Sequence, residues 1–243
     1  MSNPGELSLR QIAARMFAQA LDDERTARAS YAESPTSSAH WILVDLRASG
    51  RYRVTARDEA AFTRARMLVD VVTRISEPYG DRVRIFKEMG DAVLLCSSDP
   101  RCALEILVLL NLVDRHWRIE YHSDSSFPPL EYRAYWTFGD ATEFAGDYYG
   151  VPLDILGRIS AFKGATTDAI AVVHTSVNAS HIQKMEFEYP FVKFGYSFPL
   201  PERLSKSGEQ PIRIFEVAID TARALGFTNF FSEAKKMSAK VRL

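Results

Sequence analysis

The sequence predicts an α+β sandwich of the ferredoxin-like kind, a βαββαβ core with extra elements. Three observations carry this reading. Apolar runs and helical periodicities alternate in the order strand, helix, strand, strand, helix, strand. A glycine turn joins the two middle strands. The chain has 243 residues, 47% hydrophobic and 25% charged, which suits one sizeable domain with extensions.

At the N-terminus Leu9, Ile12, Met16 and Ala20 recur at helical spacing and give way to the polar stretch Glu33–Ser38. Residues 1–39 are therefore expected to form a helix and linker that packs on the domain or on a second subunit. The main domain, 40–218, opens with the strand WILVDL, Trp41–Leu46. A helix over Asp58–Ile75 follows, capped by Asp58, with Phe62, Ala65, Val69 and Val72 on one face. In RIFKEMGDAVLL, residues 84–95, two apolar runs meet at Met-Gly-Asp, which predicts strands over Val83–Lys87 and Ala92–Cys96 turned at Gly90. Pro100 suits the first turn of a second helix. The aromatic strand LEYRAYWTF, the turn GDYYG, a helix from Pro152, and strands at Ala169–His174 and in PIRIFEV complete the domain. Residues 219–243 form a tail with an aromatic start and a basic end, expected as a docked helix with a solvated terminus.

Composition excludes several classes of function. A formal net charge of -1 provides no basic field for nucleic acid, so no nucleic-acid partner is expected. The most apolar stretch, Cys102–Val113, is broken by Glu105 and Asn111 and is shorter than the roughly 20 residues a bilayer span needs, so it reads as a buried helix. The N-terminus MSNPGELSLRQ has an early acid and no apolar core, which argues against a signal peptide or membrane anchor. Cys96 and Cys102 lie in apolar segments without metal-ligand company and read as reduced core residues of a cytoplasmic protein. The five histidines have no ligand spacing and read as structural or exposed.

The predicted topology brings two carboxylates together. In a βαββ sheet the first strand runs antiparallel to the third, so the end of one lies beside the start of the other. Asp45 ends the first strand and Asp91 begins the third. With the backbone N–H groups of Arg47–Gly50 nearby, the pair forms a candidate hard-cation and phosphate site.

These residues resemble the class III nucleotidyl cyclases, which convert a nucleoside triphosphate to a cyclic monophosphate and pyrophosphate. The resemblance covers Trp41–Val217. WILVDL is similar to the family's first metal strand, which implies Asp45 and the following Leu46 as metal ligands. KEMGD resembles its Lys-x-x-Gly-Asp hairpin, which implies Asp91 as the second metal acid and Lys87 as a base reader. DYYGVPLDILGRIS resembles the segment that places a base-reading Asp, a turning Gly and a helical Asn and Arg; Asp147, Gly150, Asp154 and Arg158 fall there. KSGEQPIRIFEV resembles the closing strand and implies Lys206 as a phosphate lysine. The family implies two divalent cations, Mn2+ or Mg2+, bound to the nucleoside triphosphate, and a homodimer whose two sites each draw metals from one subunit and base-reading and arginine residues from the other.

The chain also departs from the family pattern. Asp154 replaces the family Asn one turn before Arg158, where it is expected to orient the guanidinium. ASGRYR replaces Gly-Phe-Thr after the first metal strand and brings Arg47, Arg51 and Tyr52 toward the substrate loop. Arg133 and Gly139 fit the family's Arg-x-Gly-x-x-x-Gly strand, whereas Tyr135 takes the first glycine's place. Lys87 and Asp147 resemble the adenine-reading pair, yet cytosine and uracil offer edges the same side chains satisfy. Bulky Tyr52 and Tyr135 favour a smaller base. The compact design resembles the pyrimidine cyclases of bacterial antiphage (Pycsar) systems, which implies UTP or CTP as substrate and a downstream cyclic-nucleotide effector. The alternatives are an adenylate cyclase and a catalytically dead cyclase-homology domain, which would be expected to lack Asp45, Asp91 or Arg158. A diguanylate-cyclase turn is missing from EMGDAV.

Overall fold

The computed structural model describes residues 9–47, 58–121, 131–162, 169–204 and 210–225. A long helix, α1 (Leu9–Glu33), precedes β1 (Thr36–Leu46). Then come α2 (Asp58–Ser76), a 3-10 turn over Glu77–Arg82, β2 (Val83–Glu88), β3 (Ala92–Ser97), α3 (Pro100–Tyr121) and β4 (Tyr132–Phe144). The second half holds β5 (Asp147–Tyr149), α4 (Val151–Ser160), β6 (Ala169–His174), α5 (Ala179–Glu188), β7 (Val192–Phe194), β8 (Phe198–Pro199), β9 (Arg213–Ile219) and α6 (Thr221–Leu225).

The main sheet runs β2-β3-β1-β4-β6-β9-β7, with β5 on β4 and β8 on β9. Its first four strands form the βαββαβ core that the sequence predicts: β1 pairs antiparallel with both β3 and β4. The expected linker is shorter than predicted, because Thr36–Ser38 pair with Asp140–Thr142 and extend β1 at its start. The local signal there is polar; the ladder to β4 overrides it. Polar composition likewise concealed α5 and β7.

Strand alternation divides the sheet into two faces. Ile42, Val44 and Leu46 join the larger core under α2 and α3, with Leu68, Val72, Leu104, Leu107 and Trp136. Trp41 and Leu43 face the other side and pack with Tyr135, Tyr148, Leu156 and Ile159, against α4. Phe62, expected in the core, is 67% exposed; Arg64 is buried on that helix instead. Cys96 and Cys102 are free thiols; Cys102 is buried in the core as expected, whereas Cys96 is only half-buried. Among the described residues no helix is long and apolar enough to cross a membrane.

Candidate active site

Site residues gather on the α4 face, at one end of β1. Antiparallel pairing places Asp45 opposite Ala92 on β3 and opposite Arg133 on β4. The Leu46 N–H donates to the Asp91 carbonyl at 2.9 Å, which fixes the end of β1 against the hairpin. That hairpin turns at Gly90, whose φ of 74° suits glycine. Burial and the neighbouring Asp91 charge push the Asp45 carboxyl up to about 6, against the opposing pull of Arg133 and Arg64. Two carboxylates that repel one another at a sheet end, both hard oxygen donors, fit a divalent cation of the Mg2+ or Mn2+ type. The Leu46 side chain is buried in the core, 3% exposed, so any share it takes in a cation falls to its main-chain carbonyl. Among the described residues no group of three or more His, Cys, Asp or Glu forms a competing site.

A second cluster crosses the same face. Lys87 Nζ lies 2.5 Å from Asp147 Oδ2, and this bond holds the Asp147 carboxyl below its ordinary range. Asp147 also accepts from the Tyr148 N–H at 2.9 Å. Beside it, the Tyr148 ring packs 4.9 Å from Trp41 and 4.6 Å from Phe86. Aromatic pairs of this kind contribute about 0.5–1.5 kcal/mol each beyond area burial.

The third group lies on α4. Gly150 opens this helix so close to β4 that a Cβ would come within 2.6 Å of the Asp140 carbonyl, which excludes larger residues there. Thr137 Oγ1 donates to the Pro152 carbonyl at 3.2 Å and fixes the helix to β4. Arg158 Nη2 then meets Asp154 Oδ2 at 2.5 Å, the contact expected from their one-turn spacing.

Comparison with known proteins bears on the fold. No protein-family model matches the chain. A pH-sensitive adenylate cyclase of Mycobacterium tuberculosis is 31% identical over 136 residues, which span 56% of this chain and 30% of that protein. The guanylyl cyclase Cya2 superposes with a TM-score of 0.58 at 14% identity, covering 76% of this chain and 94% of Cya2. A bacterial light-regulated adenylyl cyclase gives 0.59 at 11%, covering 90% of this chain and 66% of that one. The adenylyl cyclase CyaB of P. aeruginosa gives 0.54 at 15%, covering 76% and 96%. The chain has the class III nucleotidyl cyclase fold.

On this cyclase fold one expected backbone donor is engaged within the sheet, and other expected site residues lie outside the described residues. The Arg47 N–H donates to the Glu131 carbonyl at 2.8 Å, so it does not offer itself to a phosphate; residues 48–50 lie outside the described residues. Tyr52 and Lys206 also lie outside them. Tyr135 is 2% exposed, and its phenol sits within the field of Arg133, Asp45 and Arg47 while burial raises it.

Two groups went unnoticed in the cyclase fold's sequence. Arg64, 3% exposed, donates through Nη2 to the carbonyls of Arg47 at 3.0 Å and Glu131 at 3.1 Å, gripping both chain segments beside Asp45. Its signal was a charge at i-4 from Leu68 on an otherwise apolar helix face. Arg84, Glu143 and Tyr148 form the other group: Glu143 and Tyr148 face each other across the β4/β5 hairpin, whereas Arg84 lies 64 residues before Tyr148 and carries no spacing signal.

Proposed function

We propose that this chain is a nucleotidyl cyclase that converts a nucleoside triphosphate to a 3′,5′-cyclic monophosphate and pyrophosphate. The single observation that carries the reading is the β1/β3 register, which sets Asp45 beside Asp91 at the sheet end. Asp45 and Asp91 would hold two divalent cations, with the Leu46 carbonyl as a further donor. When bound, such cations lower the pKa of a ribose hydroxyl and neutralise phosphate charge.

The protein's own groups supply the rest. In the reaction the ribose 3′-oxygen bonds to the α-phosphorus as the bond to the pyrophosphate oxygen breaks, and the hydroxyl proton leaves to solvent. Arg158 stabilises charge on the α-phosphoryl oxygens, oriented by Asp154. Lys87 donates to the base and Asp147 accepts from it. Arg47, through its side chain and not its N–H, contacts the triphosphate or its loop, as do Tyr52 and Lys206. Two copies related by a two-fold axis complete two sites, each with metals from one subunit and Arg158 and the Lys87–Asp147 pair from the other.

For the base we favour a pyrimidine, UTP or CTP, because Tyr135 occupies volume in the sheet beside Asp45 that a smaller residue would leave open. The cyclic pyrimidine nucleotide would serve as a second messenger for a separate effector in antiphage defence. ATP is the second reading, favoured by the similarity to an adenylate cyclase. Purified protein with Mn2+ and the four common triphosphates separates them: cyclic UMP or cyclic CMP as the dominant product is expected. Dominant cyclic AMP transfers the assignment to ATP, and no cyclic product from any triphosphate overturns the cyclase reading.

A further inference from the structure

Lys87 stands on β2, the edge of the sheet, whereas Asp147 stands on β5 beyond β4; β3 and β1 lie between them. No ladder joins β2 to β5, so their ion pair depends on side chains that cross the α4 face. Tyr148 supplies that crossing. Its ring meets Phe86 of β2 and Trp41 of β1. Its hydroxyl accepts from Arg84 Nη2 of β2 and donates to Glu143 Oε2 of β4 at 2.8 Å. The Arg84 guanidinium also lies 5.7 Å from the centre of the Tyr148 ring. The β2 ladder shifts register between Ile85 and Lys87, so Phe86 is the extra residue and lies against the Tyr148 ring immediately before Lys87.

We propose that Tyr148, held between Arg84 and Glu143, is a positioning residue that sets the spacing of the Lys87–Asp147 pair and thereby the choice of base. This rests on the base-reading role of that pair. Tyr148 is 8% exposed and sits beneath the pair, so it acts through its neighbours. Recognition of a base edge by one donor and one acceptor requires both to match that edge at once. A clamp that ties β2 to β4 fixes one relative to the other. Without it, only the β3-β1-β4 ladders relate Lys87 to Asp147, and the base edge that fits best loses most.

The test uses the full chain with Tyr148→Phe, which keeps the ring and removes both hydroxyl bonds. Turnover of ATP, GTP, CTP and UTP is measured with Mn2+, and equilibrium binding of the same four is measured by calorimetry with Ca2+. The expected result is a fall of about fivefold or more in preference for the best triphosphate over the next, carried by KM and Kd, with kcat for the best substrate within about twofold. Glu143→Gln changes only an exposed residue, and should shift preference the same way by a smaller factor. Thermal midpoints of both variants should remain near wild type. Unchanged preference in both variants overturns the proposal, as does an equal loss for all four triphosphates. Wild-type protein that binds and discriminates triphosphates without turnover overturns the cyclase reading alone, and lost discrimination in Tyr148→Phe then still supports the clamp. Failure of wild type to bind any triphosphate sinks both.

Discussion

The two faces of the sheet differ in what their charged groups do. Under α2 and α3, polar groups are matched with partners: the buried Trp136 Nε1 donates to the buried His40 Nδ1 at 3.1 Å, and the half-buried Tyr189 donates to the half-buried Glu105 at 2.5 Å. On the α4 face, charge is arranged in cross-strand pairs, and Asp45 stands next to Asp91 with only partial compensation from Arg133 and Arg64. A fold retains such repulsion where an outside group offsets it. The contrast separates a face whose polar groups are matched from one that leaves carboxylate charge partly uncompensated.

The largest effect expected of this comparison comes from removing the acid or the arginine on the α4 face. Asp45→Ala and Arg158→Ala should each lower cyclase turnover by about 10²–10³-fold or more while leaving the helical core folded. When the two variants are co-assembled, heterodimers retain one intact site, and part of the activity should return. Verified heterodimers with no recovery would contradict a site shared across subunits. Calorimetric melting of Asp45→Asn should further show no loss of stability at pH 7 without divalent cations. Its sign follows from the raised carboxyl: the folded state holds a proton up to about 6 and the unfolded state only to 3.8. Stability is therefore greatest below 3.8 and declines as pH rises through 6, a decline the amide removes.

The helical face titrates in the opposite sense. Burial is the main cause that depresses His40 to about 4, with the nearby His181 adding to it. An unfolded imidazole takes up its proton near 6.5, whereas the folded one resists, so stability present above 6.5 is lost as pH falls toward 4. The full loss is about 3 kcal/mol. His40→Gln keeps an acceptor for Trp136 and should flatten the acid limb of the stability profile between 6.5 and 4, measured by urea melts across that range. An unchanged acid limb would show that His40 is not the group responsible.

Part of this division was legible in the chain. The meeting of Asp45 with Asp91 follows from the order of strands together with Gly90, whereas WILVDL reads as an apolar strand whose two buried faces only the structure separates. The resemblance names Lys87 and Asp147 as base readers, and the fold brings them within 2.5 Å of each other, a contact the sequence did not announce. Other features depend on tertiary contact. Phe62 has the correct periodicity for a core residue but sits toward the exposed start of α2, beyond the buried stretch Leu68–Ser76. Thr36–Ser38 are polar, yet they form strand because β4 extends to meet them. Tyr148, Arg84 and Glu143 join three strands, and no local pattern records such a junction.

The smallest expected effect sharpens the role of Asp154. Its carboxylate, half exposed, meets Arg158 at 2.5 Å across one helical turn, and an i,i+4 pair of this kind adds only about 0.3–0.5 kcal/mol to stability. Asp154→Ala should therefore leave the melting midpoint nearly unchanged. If the carboxylate only aims the guanidinium, kcat should fall by about three- to tenfold with KM almost constant, because a misaimed Arg158 loses charge stabilisation in the transition state and little in the ground state. Asp154→Asn separates orientation from charge: an amide still accepts from Arg158 and should recover most of kcat. A hundredfold loss in both variants would place Asp154 in contact with the substrate itself, the position held by an asparagine in the cyclases this segment resembles. The arginine would then be aimed by the α4 helix, and the 2.5 Å contact in the free chain would be one that substrate displaces.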